Sequence, residues 1–317
     1  MTMSNKFNNL EDVIYVTGHN GLVGRSLIKI LKKRGFKKII TTEKNEINLI
    51  NQNSVNDFFQ NNKIDQVFLV AAKVGGILAN INYPKDFLYE NLMIQCNILN
   101  ACNESNIQKV LFFGSSCIYP AKSKIPIKES YILNGKFETT NQFYAIAKIA
   151  GLKLCESINI QFNRNYKIIM PTNIYGPNDN FIENENHVMP ALISRFHNAV
   201  KYKKNSVEVW GNGKPFREFI YVDDLSEAAL ILMNNEIRNN KNFHFNVGSG
   251  EEISIFNLAK LIAKIAKYKG KIIFNTKKPS GVNRKLLDSS KIKKLGWYPK
   301  VNLVKGVNKT YKLYLKK

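Results

Sequence analysis

The chain has 317 residues, of which 44% are hydrophobic, and its formal net charge is +23 at pH 7. This length and apolar content exclude a disordered protein and fit a large α/β domain with a smaller one attached. The N-terminal segment lacks the pattern of a secretion signal, and no run of about 18 apolar residues occurs, so we expect a cytoplasmic protein that does not enter a membrane.

The large positive charge makes nucleic acid a partner to consider. The lysines, however, are scattered over helix faces such as KILKKRGFKK, without interleaved aromatic residues. We therefore expect a solvated basic surface and no nucleic-acid partner, with part of the charge serving anionic ligands. The four cysteines form no CxxC pair and have no histidines at metal-ligand spacing, so we expect neither disulfides nor a metal site.

Short β-branched runs alternate with longer helical segments over residues 1–176. The runs include VIYVTG, KKIITT, DQVFLVAA, KVLFFGSS and YKIIMPTNIYG, and the longest helical segments are at about 84–104 and 142–162. Strands separated by helices predict right-handed βαβ crossovers. We therefore predict an α/β fold with a doubly wound parallel sheet, the Rossmann arrangement, as the dinucleotide-binding domain.

The pattern changes after Gly176, where a polar loop leads to a helix that begins at about Val188. Strand and helix signals over about 216–248 predict that these segments return to the first domain. We predict that residues 177–317 mainly form a smaller α/β substrate-binding domain.

The segment VTGHNGLVG follows the first strand and opens the first helix. Gly18 permits a tight turn, Gly21 lets the backbone approach a pyrophosphate, and Gly24 lets the helix pack closely on the strand. The helix N-terminus adds aligned N–H donors. This motif predicts a bound dinucleotide.

The residues after the second strand bear on the choice between NAD and NADP. Thr41, Thr42, Glu43 and Lys44 stand where an NAD enzyme places an acid for the ribose hydroxyls. Glu43 and Lys44 favour opposite answers, whereas Arg25 and Lys44 could meet a 2′-phosphate. We favour NADP(H).

Tyr144 and Lys148 are four positions apart on a predicted helix, which places them on one face. A nearby ammonium stabilises a phenolate and brings the pKa of tyrosine closer to the working range. The pair comes after a strand that ends in Ser115, at the carboxyl edge of the sheet where ligands bind. We predict that these residues carry the chemistry.

The three glycines, Ser115, Tyr144 and Lys148 resemble the extended short-chain dehydrogenase/reductases. Within that superfamily, GSSCIYP, YAIAKIAG, MPTNIYGPNDNF and VWGNGKPFREFIYVDDL are similar to segments of the GDP-L-fucose synthase family, over about residues 13–235. The resemblance implies an enzyme that epimerises C3 and C5 of GDP-4-keto-6-deoxy-D-mannose and reduces C4 with NADPH. It implies hydride-transfer roles for Ser115, Tyr144 and Lys148.

The resemblance also implies that Cys117 and His187 are the acid and base of epimerisation. A cysteine at a strand end is otherwise usually a small core residue, and a histidine at a helix start is usually a cap or a surface group. The implied substrate contacts are Asn173, Arg195, Trp210 and Arg217, with Arg284 as a weaker candidate for the diphosphate. The implied cofactor contacts are Gly18, Asn20, Gly21, Leu22, Val23, Gly24, Arg25, Lys44, Ala71, Ala72, Tyr144, Lys148, Pro171, Asn173 and His187.

Two departures from the family pattern weaken the NADP assignment. Asn20 stands where the family often has arginine, and the basic pair expected after the second strand is reduced to Lys44. The runner-up function is a reductase for a related GDP-4-keto sugar, such as a heptose. A 4,6-dehydratase would need a carboxylate where Ser116 and Cys117 stand, and a silent dinucleotide-sensing protein would not need Tyr144 and Lys148.

The helices predicted at about 84–104 and 142–162 carry apolar residues around more than one face. Packing on a single sheet does not require this, so we predict a homodimer through these two helices.

Overall fold

The computed structural model describes residues 9–181, 187–236, 243–278 and 281–316. Twelve strands lie within these residues: β1 Ile14–Val16, β2 Ile39–Ile40, β3 Gln66–Leu69, β4 Lys109–Phe113, β5 Asn165–Pro171, β6 Asn173–Tyr175, β7 Ser206–Trp210, β8 Phe216–Tyr221, β9 His244–Val247, β10 Glu252–Ser254, β11 Lys271–Asn275 and β12 Arg284–Lys285. The same part of the chain has ten α-helices: α1 Leu22–Lys33, α2 Gln52–Asn61, α3 Ile77–Asn82, α4 Pro84–Glu104, α5 Gln142–Phe162, α6 Val188–Lys201, α7 Val222–Asn234, α8 Ile255–Ile265, α9 Ser290–Lys293 and α10 Leu303–Tyr314.

Six strands form a central sheet in the order β2-β1-β3-β4-β5-β9, and every neighbouring pair is parallel. The chain leaves β1 towards β2 on one side and then returns to β3 on the other. In such a sheet the strand order reverses beside β1, and ligands bind outside the carboxyl ends of the strands at this point. The predicted doubly wound α/β fold is confirmed.

Both faces of this sheet are covered by apolar side chains. On one face, α2, α4 and α5 enclose a core that includes Ile98, Phe112 and Ile158. On the other, α1 and α7 enclose a core that includes Leu27 and Leu225. Burial on both faces explains why the strands read as continuous apolar runs and not as alternating ones.

A third apolar core lies between α6, α8, α10 and the parallel pair of β7 and β11. A small sheet with the order β10-β8-β12, to which β6 is added through β8, lies between this part and the central sheet. The segment after β8 returns to the first part of the chain, because α7 packs on α1 and β9 joins the central sheet. The domain boundary at residue 176 stays a prediction.

Glu218 of β8 connects these parts through buried hydrogen bonds. Its carboxylate accepts the backbone N–H groups of Gly250 at 2.7 Å and Leu287 at 3.0 Å. A Cβ atom at Gly248 would lie 2.3 Å from the same carboxylate, so the close approach requires glycine there. Among the described residues, no helix is long and apolar enough to cross a membrane.

Candidate active site

The turn between β1 and α1 has the shape that a pyrophosphate requires. Gly18 has φ +66°, and a Cβ atom there would lie 2.9 Å from Cα of Ala71. A Cβ atom at Gly24 would lie 2.3 Å from the carbonyl oxygen of Gly18. Gly21 precedes α1, and no side chain caps the first turn of that helix. The open N-terminus and the two glycine contacts together fit a dinucleotide phosphate.

The loop after β3 forms the second wall of this turn. Thr17 Oγ1 accepts the backbone N–H groups of Val70 at 3.0 Å and Ala71 at 2.9 Å. These bonds hold Ala71 and the neighbouring Ala72 beside the glycine turn, where the sequence predicts a cofactor contact. Pro171 lies at the carboxyl end of β5, on the same edge of the sheet.

Hydrogen bonds between polar side chains join the glycine turn to the segment after β2. Both carboxylate oxygens of Glu43 accept hydrogen bonds from Asn20 Nδ2 at 2.9 Å, and His19 Nε2 lies 3.0 Å from Oε1. Arg25 Nε donates to the carbonyl oxygen of Asn20 at 2.8 Å. The bonds from Asn20 and His19 lower the pKa of Glu43, so its carboxylate is ionised at neutral pH. No sequence pattern indicates this role of His19, because the contact joins two loops that are 24 residues apart.

The structure brings Ser115, Tyr144 and Lys148 together at the carboxyl end of β4. Ser115 precedes a short 3-10 turn, and its side chain is hydrogen-bonded with that of Tyr144. One turn along α5, Lys148 Nζ donates to the carbonyl oxygen of Phe113 at 2.9 Å and lies 5.8 Å from the centre of the Tyr144 ring. The strand, the turn and the helix therefore position all three side chains at one point.

Burial controls the proton affinities of this group. It raises the pKa of Tyr144, with a further rise from Cys117 and an opposing effect of the Ser115 hydrogen bond. It lowers the pKa of Lys148 to about 7. In the protein alone, burial keeps the pKa of Tyr144 above its ordinary value, and the lowering of this pKa by a charged Lys148 stays a prediction. Tyr144 therefore keeps its proton and is suited to donate it.

Cys117 follows Ser115 by two residues and is partly exposed, unlike Cys102 and Cys155, which are buried. Its backbone N–H donates to Ser115 Oγ at 3.1 Å, and Asn141 Nδ2 donates to its sulfur at 3.4 Å. Side chains near the thiol include Glu138, Arg284 and Lys285, which line one cavity with it.

His187 directly precedes α6, and this histidine is exposed to solvent. It adjoins residues 182–186, which lie outside the described part of the chain. Its role as the second epimerisation group stays a prediction.

Three predicted substrate residues meet other partners at the small sheet. Asn173 Nδ2 donates to the carbonyl oxygen of Glu218 at 2.8 Å, at the start of β6. Arg217 is half-buried, and burial lowers its pKa while Glu138 and Cys117 oppose this effect. Arg284 is ion-paired with Glu252 through Nε at 2.9 Å and Nη2 at 2.7 Å, and this pairing offsets its charge. Both arginines stay candidates, because Arg217 interacts electrostatically with Cys117 and Arg284 lines the same cavity as Cys117.

Arg195 and Trp210 line a cavity of about 310 Å³ between α6 and β7. The guanidinium carbon of Arg195 lies 4.9 Å from the centre of the Trp210 ring, and Lys278 Nζ lies 5.6 Å from it. An aromatic face with two cations beside it suits a flat base and an anionic group. The sequence analysis missed Lys278, because only the parallel pairing of β7 and β11 brings it to Trp210.

The family model "NAD dependent epimerase/dehydratase family" matches residues 14–248. The chain belongs to this family. Members with similar sequences include the GDP-L-fucose synthase of Escherichia coli (strain K12), which is 46% identical over 308 residues, or 95% of this chain and 96% of that protein. GDP-L-fucose synthase 1 of Arabidopsis thaliana is 46% identical over 303 residues, or 96% of this chain and 93% of that protein.

A solved structure with a similar fold is the GDP-mannoheptose C4 reductase from Campylobacter jejuni with NADP bound. It has a TM-score of 0.88 and 37% identity, covering 97% of this chain and 99% of that one. These similarities confirm the resemblance to GDP-L-fucose synthases that the sequence segments predict.

Proposed function

We propose that the chain is a GDP-L-fucose synthase, an enzyme that epimerises C3 and C5 of GDP-4-keto-6-deoxy-D-mannose and reduces C4 with NADPH to give GDP-L-fucose. The observation that carries the proposal is the match at 46% identity to a GDP-L-fucose synthase over 95% of the chain. The grouping of Ser115, Tyr144 and Lys148 at the carboxyl edge of the sheet supports it, because a silent dinucleotide sensor has no need for this group.

NADP(H) is the proposed cofactor, and when bound it supplies the hydride for C4. The glycine turn of Gly18, Gly21 and Gly24 would hold its phosphates, with Leu22 and Val23 at the start of α1. The hydroxyls of Ser115 and Tyr144 would contact the substrate, and Lys148 and Asn173 lie at the same edge of the sheet. A relative with NADP bound supports this choice.

Ser115 and Tyr144 suit both steps of the reaction. A C4 ketone acidifies the hydrogens on C3 and C5, because the carbanion formed on either side delocalises onto the ketone oxygen. Two hydroxyl donors that meet this oxygen stabilise the negative charge during epimerisation. Tyr144, whose pKa is raised by burial, then donates its proton to the same oxygen during reduction.

Cys117 and His187 are the proposed acid and base of epimerisation. Cys117 follows Ser115 by two residues, and its backbone N–H donates to Ser115 Oγ at 3.1 Å, so its thiol would lie near a substrate whose ketone oxygen meets Ser115. A reductase alone needs neither a thiol nor an imidazole here. The presence of both favours the epimerase-reductase.

The cavity at Arg195 and Trp210 is the proposed site of the GDP moiety. The Trp210 ring offers a stacking surface for guanine, and Arg195 and Lys278 offer positive charge for the diphosphate. Arg217, which interacts electrostatically with Cys117, would meet the phosphate nearest the sugar.

A homodimer through α4 and α5 is part of the proposal. The two helices pack against each other, yet Tyr89, Phe143, Ile146 and Ile160 are exposed on them. Cytoplasmic residence is also proposed, and four free cysteines agree with a reducing compartment.

A heptose C4 reductase is the second candidate, since reductases of GDP-heptoses from Campylobacter jejuni reach TM-scores of 0.91 and 0.88. An assay that follows NADPH oxidation with GDP-4-keto-6-deoxy-D-mannose and with a GDP-4-keto-heptose separates the two. We expect efficient turnover of the first substrate and GDP-L-fucose as the product by NMR. Higher kcat/KM for the heptose would overturn the assignment.

A further inference from the structure

Asn141 stands directly before α5, yet its side chain makes no capping hydrogen bond to the described first turn of this helix. Asparagine is favoured at this position, because its side-chain oxygen accepts hydrogen bonds from the free N–H groups of the first turn. Asn51 before α2 and Asn302 before α10 do accept such a bond, at 3.0 Å and 2.9 Å. The side chain of Asn141 is therefore used for a different contact.

The amide of Asn141 contacts the sulfur of Cys117. Nδ2 donates to Sγ at 3.4 Å, and Oδ1 is buried without a hydrogen-bond partner in the described part of the chain. A buried acceptor that is left unpaired is unfavourable. The backbone N–H of Asn141 donates to the carbonyl oxygen of Glu138 at 3.4 Å, which fixes the base of the side chain. The fold thus gives up a helix cap and leaves an oxygen unpaired, and it keeps this N–H on the sulfur.

A hydrogen bond from an amide to sulfur favours the thiolate over the thiol, because a charged acceptor forms the stronger bond. The charged and titratable groups near this thiol are Glu138, Tyr144, Arg217, Arg284 and Lys285. The last two have other partners, an ion pair with Glu252 and a bond to the carbonyl oxygen of Ser116. Arg217 attracts a thiolate and Glu138 repels it. The amide of Asn141 does not titrate, so its effect on the sulfur is the same throughout the working pH range.

We propose that Asn141 is a positioning residue of epimerisation, whose amide N–H holds the sulfur of Cys117 and stabilises its thiolate. The inference rests on the proposed role of Cys117 and adds a residue that acts through it. In that role a thiolate takes a proton from C3 or C5, and the electron pair left on carbon moves onto the ketone oxygen; the reverse step returns the proton. The hydride step at C4 does not involve the thiol, so Asn141 acts on epimerisation alone.

Alkylation of Cys117 tests this proposal in the full chain without sugar or dinucleotide. Iodoacetamide reacts with the thiolate, and mass spectrometry of the peptide that contains Cys117 gives the rate between about pH 6 and pH 10. Asn141→Asp keeps the shape of the side chain and replaces the N–H donor by an oxygen. The midpoint of the pH profile should therefore rise by about one unit, and the rate at pH 7 should fall about tenfold. Asn141→Ala, which adds no charge, should shift the profile in the same direction.

Asn51→Ala is the matched control, because Asn51 is an asparagine that does cap its helix. This change should lower the midpoint of urea unfolding and leave the alkylation of Cys117 unchanged. The Asn141 variants should show the opposite pattern, a shifted alkylation profile with little loss of stability, because the side chain that is replaced does not cap the described start of α5. Circular dichroism follows the unfolding.

An alkylation profile like that of the wild type in both Asn141 variants would overturn the proposal. So would an equal shift of the profile in Asn51→Ala. If Asn141→Asp does not fold, the profile of Asn141→Ala decides. With NADPH withheld, exchange of the C3 and C5 hydrogens for solvent deuterium should slow about tenfold in Asn141→Asp, in line with its alkylation. Because alkylation needs no sugar, a lack of exchange in the wild type would count against the proposed epimerisation alone.

Discussion

Asn141 Nδ2 donates a hydrogen bond to the sulfur of Cys117 at 3.4 Å, and Asn141 directly precedes the helix that carries Tyr144 and Lys148. The thiol is thus tied to the same helix end as the tyrosine hydroxyl. Cys117 also adds to the rise in the pKa of Tyr144. A change of charge at the thiol would therefore act on Tyr144, the proposed proton donor.

Cys117→Ala should suppress epimerisation and leave dinucleotide binding intact. With NADPH withheld, the wild type should exchange the C3 and C5 hydrogens of the 4-keto sugar for solvent deuterium. Loss of a positioned acid or base typically costs 10²–10⁴-fold in rate, and we expect that range for exchange in Cys117→Ala. His187→Ala should reduce exchange or stop it after one centre. Mass spectrometry of the recovered sugar measures the deuterium.

Cys96→Ala is the control for this experiment, because Cys96 is also partly exposed but lies in the middle of α4. It should exchange like the wild type. If Cys117→Ala incorporates deuterium like the wild type, Cys117 has only a packing role. If the wild type incorporates no deuterium, the heptose reductase is favoured.

The sequence predicts the parts of this site that depend on local spacing. The glycine turn, the YxxxK pair and the serine at a strand end each lie within one element or one junction, so their geometry follows from the element itself. The contact between Lys278 and Trp210 needs the pairing of β7 with β11, which no local pattern specifies. The bond between Asn20 and Glu43 likewise joins two loops that only the sheet brings together.

The pKa shifts of Tyr144 and Lys148 could not be predicted from the sequence either. Spacing on α5 places Lys148 one turn from Tyr144, and from this alone an ammonium effect on the phenol is the natural expectation. Burial acts in the opposite direction, because desolvation raises the pKa of Tyr144 and lowers that of Lys148 to about 7. Burial depends on the surrounding elements, here β4 and the loop after it.

Lys278→Ala should raise KM for the GDP-sugar several-fold and change kcat little. Lys278 adds positive charge beside the Trp210 ring, in a cavity whose lining includes none of Ser115, Tyr144 and Lys148, so its loss should weaken binding of substrate and transition state alike. Steady-state kinetics with saturating NADPH measure both constants. Lys277→Ala, the neighbouring lysine, is the control and should match the wild type; equal effects of the two variants would argue for a general charge effect.

Ile146→Lys should convert the proposed dimer into a monomer. Ile146 is 42% exposed on α5, and a charge buried in a helix-to-helix interface lacks a partner and is costly. Light scattering at micromolar protein gives the mass of each form. Val304→Lys, on the exposed side of α10, should leave the mass unchanged. A monomeric wild type would contradict the prediction.

Lys167→Met should stabilise the protein at neutral pH and remove part of its pH dependence. Lys167 in β5 is 0% exposed, its Nζ has no hydrogen-bond partner among the described residues, and burial lowers its pKa to about 7, with Lys109 adding to this effect and Glu236 opposing it. Because the folded state favours the neutral amine, the wild type gains stability as pH rises from about 7 towards 10.5, the ordinary pKa of lysine, and loses it as pH falls back to 7. Methionine has a flexible apolar side chain only one atom shorter than that of lysine and carries no charge, so we expect a gain of about 1 kcal/mol or more at pH 7. Urea unfolding at pH 7 and pH 9 measures the effect: the gain should shrink at pH 9, and the exposed control Lys63→Met should change little at either pH. A loss of stability in Lys167→Met at pH 7 would show that the amine has a stabilising partner in the folded protein.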